Sequence, residues 1–328
     1  MAEMDWERLL TKFRALGGIA DNIVIRHGPM GRGVFPIEPR IPIRLRTPPN
    51  LLVRCSDTEL RSGRLVTKRS ANLGERERSF FEMYQEDFCW SAGTLNQLWQ
   101  EQLAWSELPA KVQEKLQEMG PDPDRFAPPN ADLCYRRYLA TRQFNYRGTP
   151  VLMPLVELIN HRERAGRYDI SNGIGVEYTP NDEVNVDYGP NDCWGMAMVY
   201  GFCPLRGWAY SLNANFIFEE FDIGISRKFF RNERVNGLPI PMIDTDGAKL
   251  RFSHLMLGHV RLPHVPRTIF SHAVKTTPIK QPDELFDLIQ HHNRTKFIEF
   301  LRLTDEPSTP LAATLRKAAQ DQLEALSA

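Results

Sequence analysis

Residues 150–204 read PVLMPLVELINHRERAGRYDISNGIGVEYTPNDEVNVDYGPNDCWGMAMVYGFCP. An apolar run in this stretch ends in Asn160 and His161, and a second short apolar run leads into Asp187-Tyr188-Gly189. Each run places polar or aromatic residues directly after a segment that has the pattern of a strand. This arrangement predicts two chain segments that lie side by side, with functional residues at their adjacent ends.

Length and composition limit the classes of protein to which the chain can belong. Its 328 residues suffice for one large domain or two of ordinary size, and 42% hydrophobic with 25% charged residues is typical of a globular protein. Lys plus Arg number 41, as do Asp plus Glu, so there is no net charge to attract nucleic acid or an anionic membrane. No apolar run approaches the roughly 20 residues that span a bilayer. We therefore expect neither nucleic acid nor a membrane as partner, and the sequence leaves the oligomeric state open.

The cysteines indicate the redox environment and the absence of a zinc site. The chain has five of them, an odd number, at the widely spaced positions 55, 89, 134, 193 and 203. No Cys-x-x-Cys pair and no Cys/His cluster has the spacing of a zinc site, so we expect no metal. Free thiols are typical of a reducing compartment, and the N-terminal residues, with Glu3 and Asp5, lack the apolar core of a signal peptide. A cytoplasmic location is the expectation.

Short strands are predicted in three regions of the chain. Apolar residues alternate or run briefly between glycines and prolines in residues 19–53, 151–203 and, as two pieces, 210–224 and 238–252. The sequence Asp244-Thr245-Asp246-Gly247 is a candidate hairpin turn within the last piece. The 24 prolines favour such turns and short strands over long helices.

Helical spacing of apolar residues predicts helices in the remaining regions. Residues 4–16 predict one helix, and residues 72–146 predict several, the last at about 131–143. Two more are predicted near the end of the chain, one opening at Pro282 and one capped by Thr309-Pro310.

The glycine-rich turn Gly28-Pro29-Met30-Gly31-Arg32-Gly33 joins two predicted strands. It lacks the GxGxxG spacing and opens no helix, which excludes a dinucleotide-binding turn. A plain hairpin turn is one interpretation. The alternative is that the missing Cβ atoms let a ligand lie against the backbone.

Five segments, taken together and in order, resemble a SET-domain methyltransferase, and more closely the branch of the Rubisco lysine methyltransferases. The segments are Gly31-Arg32-Gly33-Val34-Phe35, Thr141-Arg142-Gln143-Phe144, Pro154-Leu155-Val156-Glu157-Leu158-Ile159-Asn160-His161, Asp187-Tyr188-Gly189-Pro190 and Tyr200-Gly201-Phe202. The resemblance covers roughly residues 5–205, and a helical insertion stands in the gap where the family has one.

The resemblance implies an α+β fold. In SET domains, short twisted strands form small sheets, and a knot-like crossing brings the Asn-His segment beside the Tyr-Gly segment. We accordingly expect a SET domain at residues 1–205, with its helical insertion at about 60–146. Residues 206–328 would form a C-terminal lobe of strands followed by helices.

The resemblance also implies an enzyme that transfers a methyl group from S-adenosylmethionine, with Tyr188 as the catalytic residue. The residues implied to bind this donor are Met30, Gly31, Arg32, Arg142, Asn160, His161, Tyr200 and Phe202. Glu157, which stands where the family has an aspartate, and Phe144 are implied on the acceptor side.

The acceptor is a protein or a small molecule. The resemblance implies a lysine side chain of a protein as the first expectation, and its amine can take the methyl group by in-line displacement once it is neutral and aligned. The stretch 206–328 differs from the long helical lobe that often holds protein substrates in this branch, and Cys193 replaces a family asparagine. A protein histidine, a free amino acid or another metabolite therefore remain alternative acceptors, and a silent module that binds the donor or a peptide is a further alternative.

Overall fold

The computed structural model describes residues 6–120, 123–189, 191–204, 206–227, 234–235, 238–306 and 309–328. It mixes helices with small sheets and thus confirms the predicted α+β class. The strands are β1 Ile19–Asp21, β2 Ile23–Gly28, β3 Gly31–Pro36, β4 Ile43–Thr47, β5 Val53–Arg54, β6 Thr58–Arg61, β7 Arg64–Thr67, β8 Phe144–Tyr146, β9 Thr149–Leu152, β10 Asn160–His161, β11 Ile174–Tyr178, β12 Asn185–Val186, β13 Trp208–Tyr210, β14 Ala214–Phe218, β15 Phe221–Ser226, β16 Arg234–Val235, β17 Leu238–Pro239, β18 Met242–Asp246, β19 Lys249–Ser253 and β20 Met256–His259.

The helices confirm most of the helical predictions. They are α1 Trp6–Ala15, α2 Glu75–Tyr84, α3 Ala92–Ser106, α4 Ala110–Glu118, α5 Ala131–Arg142, α6 Cys193–Tyr200, α7 Val265–Ala273, α8 Pro282–Leu303 and α9 Pro310–Ser327. The Thr309 hydroxyl accepts a hydrogen bond from the Ala312 N–H, as expected of a cap. At 22 residues, α8 runs against the expectation that the prolines favour turns and short strands over long helices. Its Pro282 stands at the first position, where no N–H is needed.

Helix α6 contradicts the prediction that residues 151–203 form strands throughout. The Asp192 side chain accepts a hydrogen bond from the Gly195 N–H at 2.7 Å and so caps the start of the helix. Gly201 ends it in the left-handed conformation, with φ of 78°. The apolar run Cys193–Tyr200 has no polar residue to reveal its period, and periodicity alone cannot separate a buried helix from a buried strand in such a run.

The chain divides into two compact units, each with its own hydrophobic core. The first comprises Met1–Leu103 and Pro128–Gly189, and the second comprises Ala104–Ala127 and Pro190–Ala328. The boundary predicted at residue 205 is a different quantity, namely the end of the segment that resembles a SET domain, and it stays a prediction.

In the first unit, β2 and β3 form an antiparallel hairpin whose register runs from Ile23 opposite Pro36 to Gly28 opposite Gly31. This confirms a hairpin at the glycine-rich turn. Gly31 has φ of 89°, a conformation that favours glycine. The backbone N–H of Val184 donates to the carbonyl of Val34 at 2.8 Å, which ties the chain before β12 to this hairpin.

Strands β10 and β12 of the first unit pair in parallel, with Asn160 opposite Asn185 and His161 opposite Val186. Parallel neighbours need a crossover connection, here residues 162–184, and this connection contains β11, which pairs with β4. The pairing confirms that the two segments recognised in the sequence lie side by side.

The second unit contains a four-stranded sheet in the order β14-β15-β19-β18. Asp246 lies opposite Lys249 in the hairpin of β18 and β19, so the turn is centred on Gly247 and Ala248, close to its predicted place. Fully buried phenylalanines from β19 and the helices fill the core of this unit, namely Phe252, Phe270, Phe297 and Phe300.

The cysteines partly contradict the prediction of free thiols. Cys193 and Cys203 form a disulfide across a Cα–Cα distance of 5.0 Å. Gly201 reverses the chain after α6, so that Cys203 returns to the first residue of that helix. Sequence spacing does not show such a reversal, whereas Cys55, Cys89 and Cys134 are free as predicted. Within the described ranges, none of the helices is both long and apolar enough to cross a bilayer.

Candidate active site

The pair β10–β12 brings His161 and Tyr188 into direct contact in the first unit. The backbone N–H of Tyr188 donates to Nδ1 of His161 at 3.1 Å, and the centroids of the two rings are 5.1 Å apart. An Nδ1 atom that accepts a hydrogen bond carries no proton, so the buried imidazole is neutral with its proton on Nε2. His161 thus holds the backbone of Tyr188 in place.

The hydroxyl of Tyr188 is held as firmly as its backbone. It donates to the carbonyl of Ile159 at 2.8 Å, just before β10. Because the proton is used in this bond, the phenol oxygen offers lone pairs to any further partner. The ring is half-buried, so this oxygen is an oriented acceptor at a partly desolvated place.

The glycine hairpin borders Asn160. The side-chain amide nitrogen of Asn160 donates to the carbonyl of Arg32 at 3.3 Å. Met30 and Gly31 occupy the tip of the hairpin, where Met30 is 51% exposed. The structure therefore brings Arg32 to Asn160, and places Met30 and Gly31 at the adjoining turn.

Glu183 is a residue at this place that the sequence analysis did not identify. Its Oε1 accepts a hydrogen bond of 2.6 Å from the amide nitrogen of Asn160. A Cβ at Gly33 would overlap Oε1 of Glu183 and lie 2.7 Å from the amide nitrogen of Asn160. The one signal in the sequence was an acidic pair, Asp182-Glu183, directly before β12.

Arg142 ends α5 with its guanidinium 5.0 Å from the ring centroid of Tyr138. The residue is half-buried, and no hydrogen-bond partner of its guanidinium is found in the described part of the chain. Burial by itself lowers the pKa of Arg142, but the facing Tyr138 and other neighbours, including Glu157, raise it on balance. The side chain is a charged group available to an anionic partner.

Glu157, predicted on the acceptor side, belongs to a buried polar cluster that also contains Tyr138. Its Oε1 accepts hydrogen bonds from the hydroxyls of Tyr84 at 3.0 Å and Tyr138 at 3.4 Å, and Tyr138 also donates to Gln85 at 2.6 Å. Oε2 of Glu157 is buried without a hydrogen-bond partner among the described residues. Burial raises the pKa of both tyrosines well above the usual range, so both phenols keep their protons. Tyr84 donates its proton to Glu157, whereas the single proton of Tyr138 is shared between the nearer Gln85 and the more distant Glu157.

Three predicted residues remain, namely Phe144, Tyr200 and Phe202. Phe144 is half-buried in β8 and meets Tyr168 edge to face, with centroids 5.4 Å apart. Tyr200 and Phe202 belong to the second unit, where their rings are 6.0 Å apart at the end of α6. Their packing on a donor stays a prediction. In the chain as described, no group of three or more His, Cys, Asp or Glu residues is placed to hold a metal ion.

Comparisons with known proteins return structural likeness alone. No family model and no curated protein matches the chain. Among solved structures, the SET domain of LSMT bound to lysine and AdoHcy is 15% identical with a TM-score of 0.43. Rubisco LSMT bound to AdoMet is 16% identical with a TM-score of 0.45, and Rubisco LSMT bound to sinefungin and monomethyllysine is 14% identical with a TM-score of 0.44. Each alignment covers 98% of this chain and 89% of the other. Identities and scores at this level do not establish an activity.

Proposed function

We propose that the chain is an S-adenosylmethionine-dependent methyltransferase of the SET type that methylates the side-chain amine of a protein lysine. One observation carries the proposal. The segment ending in Asn160-His161 and the segment ending in Tyr188 are paired in parallel. They are also joined by two hydrogen bonds that Tyr188 donates, one from its backbone N–H and one from its hydroxyl. The order of the five motifs along the chain supports the same conclusion.

Residues of the first unit would hold the donor. At Gly31 a Cβ would meet no atom within 4 Å, so the tip of the hairpin is open to a ligand, whereas the space beside Gly33 is occupied by Glu183 and Asn160. Asn160 and the backbone of this hairpin would hold the donor. Arg142, charged and without a hydrogen-bond partner among the described residues, would bind its carboxylate, because a guanidinium matches a carboxylate with two parallel hydrogen bonds.

When bound, S-adenosylmethionine supplies a methyl group activated by a sulfonium centre. The task of the protein is then to align a neutral amine with that methyl group and to exclude water. Tyr188 would orient the amine through a hydrogen bond to its phenol oxygen, with weak CH···O contacts as a secondary effect. Since its proton is donated to Ile159, we assign Tyr188 an orienting role and no role as general base.

The acceptor amine must lose a proton before it attacks. A lysine amine has a reference pKa of about 10.4, and desolvation lowers it by disfavouring the charged form. The half-buried surroundings of Tyr188 supply such desolvation. A protein histidine, a free amino acid or another metabolite is the alternative acceptor, and methyl labelling separates these cases.

The test uses the full chain, methyl-labelled S-adenosylmethionine and a cell lysate depleted of small molecules, with the small-molecule fraction assayed separately. We expect a labelled protein band that yields methyllysine on acid hydrolysis. Methylhistidine, or label in the small-molecule fraction alone, would reassign the acceptor. Donor binding seen as a rise in Tm, with no transfer to any fraction, would instead make the chain a donor-binding module. Absence of donor binding would overturn the proposal.

A further inference from the structure

We propose that Glu183 is a positioning residue that fixes the side-chain amide of Asn160 and makes the donor site selective for a ligand with an ammonium group. The inference rests on the proposed function, since it concerns the same site. It adds a residue and a chemical preference that the motifs do not contain.

The orientation of the Asn160 amide follows from its neighbours. Its nitrogen lies 2.6 Å from Oε1 of Glu183 and 3.3 Å from the carbonyl oxygen of Arg32. Both partners are acceptors, so an amide oxygen turned to this side would face two oxygens and gain no hydrogen bond. The nitrogen must therefore point to Glu183, and the amide oxygen Oδ1 must point away from it.

This orientation uses both amide protons inside the protein. A ligand at Asn160 consequently meets only Oδ1, which accepts hydrogen bonds and cannot donate them. The group that it binds must carry an N–H or O–H donor. The ammonium group, the exocyclic amine of adenine and the ribose hydroxyls of the donor all satisfy this requirement.

The charge of Glu183 favours the ammonium group over the neutral donors. The side chain is half-buried and forms no ion pair within the described residues, and Oε2 has no hydrogen-bond partner there. Oε2 lies near Gly28, where a Cβ would stand 3.5 Å from it. A partly buried carboxylate without a cation attracts a positive ligand group more strongly than a neutral amine. The ammonium group of the donor's amino-acid part supplies that charge.

Gly33 provides an independent observation for the same pair. Its φ is not in the left-handed region, so backbone conformation does not demand glycine there. A side chain at this position would overlap Glu183 and crowd Asn160. The chain thus leaves room for the carboxylate to approach the amide.

The experiment is calorimetry on the full chain with three probes: S-adenosylmethionine, S-adenosylhomocysteine and 5′-methylthioadenosine, which keeps the adenosine but lacks the amino-acid part. The variant is Glu183→Gln, and Asp182→Asn is the matched control, because it removes the same charge from the adjacent exposed residue. For Glu183→Gln, we expect the affinities for the first two probes to fall about 10- to 100-fold, as for loss of a charge-assisted hydrogen bond. The affinity for 5′-methylthioadenosine should change less than about twofold by the same reasoning, and Asp182→Asn should leave all three affinities unchanged.

Other patterns overturn the inference. An equal loss for all three probes would mean a structural role or a contact with adenine, and a loss for S-adenosylmethionine alone would mean that Glu183 acts on the sulfonium. No loss would remove Glu183 from the site. If wild-type protein binds none of the probes, the proposed function itself fails, which is a different result from any of these.

Two further variants keep the test decisive. Gly33→Ala displaces the Glu183 carboxylate without changing its charge, and it should reproduce the same pattern across the three probes even if Glu183→Gln proves unstable. In an Asn160→Ala background, Glu183→Gln should reduce S-adenosylhomocysteine binding by less than it does in the wild type, because the part of its effect that acts through Asn160 is already lost and only the attraction by its charge remains. Additive losses would show that Glu183 acts independently of Asn160 and would overturn the positioning role.

Discussion

Tyr188 is anchored at two points, its N–H on His161 and its hydroxyl on Ile159, and both anchors belong to the Asn-His segment. A side chain held in this way loses little conformational freedom when an acceptor arrives. The orientation of one phenol oxygen therefore depends on the register of a two-residue strand pair, Asn160 opposite Asn185.

Replacing Tyr188 by phenylalanine should lower kcat by about 100-fold or more, because the aligned acceptor for the amine is lost while the ring still packs. Binding of S-adenosylhomocysteine, measured by calorimetry, should stay within about threefold of wild type, since the hydroxyl is assigned to the acceptor. Tyr135→Phe is the matched control, since its hydroxyl bonds to Thr58 elsewhere in the first unit. Wild-type kcat in Tyr188→Phe would remove the assigned role.

A pH dependence of stability is expected from His254 in the second unit. Burial, and then the nearby Arg227, lower the pKa of this histidine to about 3, so the folded chain keeps it neutral. The unfolded chain takes up the proton near the ordinary pKa of about 6.5. Stability from this residue is therefore complete above that pH and is lost as the pH falls towards 3, by an amount on the order of 4 kcal/mol.

The variant His254→Asn should flatten the fall of the urea midpoint between about pH 6 and pH 4. Asparagine suits this position because the residue has φ of 53°, a left-handed conformation that asparagine tolerates. His272→Asn, at an exposed histidine, should leave the slope unchanged. An unaltered slope in His254→Asn would contradict the assignment.

For single residues, the sequence predicted the site correctly where the position of a residue along its own segment was sufficient. Asn160, His161 and Tyr188 stand at the ends of apolar runs, and the structure brings them together as expected. Glu183 was missed because its contact with Asn160 depends on the packing of β3 beside the turn before β12. The phenols around Glu157 were missed because Tyr84 is 73 residues distant in the chain, and helical spacing marks it only as a core residue.

At the level of elements, α6 shows how caps decide between helix and strand. The fully buried Asp192 accepts hydrogen bonds from the backbone of Gly195 and of Tyr210 and pairs with Arg227. One carboxylate thus starts the helix, fixes β13 and neutralises an arginine. Hydrophobic pattern alone misassigned this segment, since its residues are apolar on all sides, whereas α1 and α8 each have a polar and an apolar face and were predicted correctly.

Asp192→Ala should lower the free energy of unfolding by about 3 kcal/mol, because the cap is lost and Arg227 is left without its partner. Asp192→Asn keeps an oxygen for the cap and should cost about half as much. Chemical denaturation followed by circular dichroism measures both. A loss below about 0.5 kcal/mol for Asp192→Ala, the range of ordinary surface substitutions, would contradict this account of α6.

For the whole molecule, the two units have separate cores, and the proposed donor contacts fall mainly in the first. Hydrogen exchange with S-adenosylhomocysteine should therefore slow at the amides of residues 26–34, 158–162 and 183–189, because a ligand stabilises the segments that it binds against local opening.

The same measurement tests the prediction that Tyr200 and Phe202 pack on the donor. If they do, the amides of residues 198–203 should exchange more slowly as well. The hairpin of β6 and β7 and the helix α8 serve as internal controls and should not change. Protection confined to the controls, or spread evenly over the chain, would contradict the proposed site.

The parallel pair of β10 and β12 also has a consequence for biosynthesis. Much of the proposed donor site, from Met30 to His161, is translated before Tyr188, yet the site is complete only when β12 pairs with β10. Contacts distant in sequence form late, because the entropy of closing the loop between them is lost before the contacts can stabilise the chain. A nascent chain that ends before residue 185 would thus already contain the glycine hairpin but would still be unable to bind a nucleoside. The ability to bind the donor would appear in a single step, when the last few residues of the first unit become free to fold.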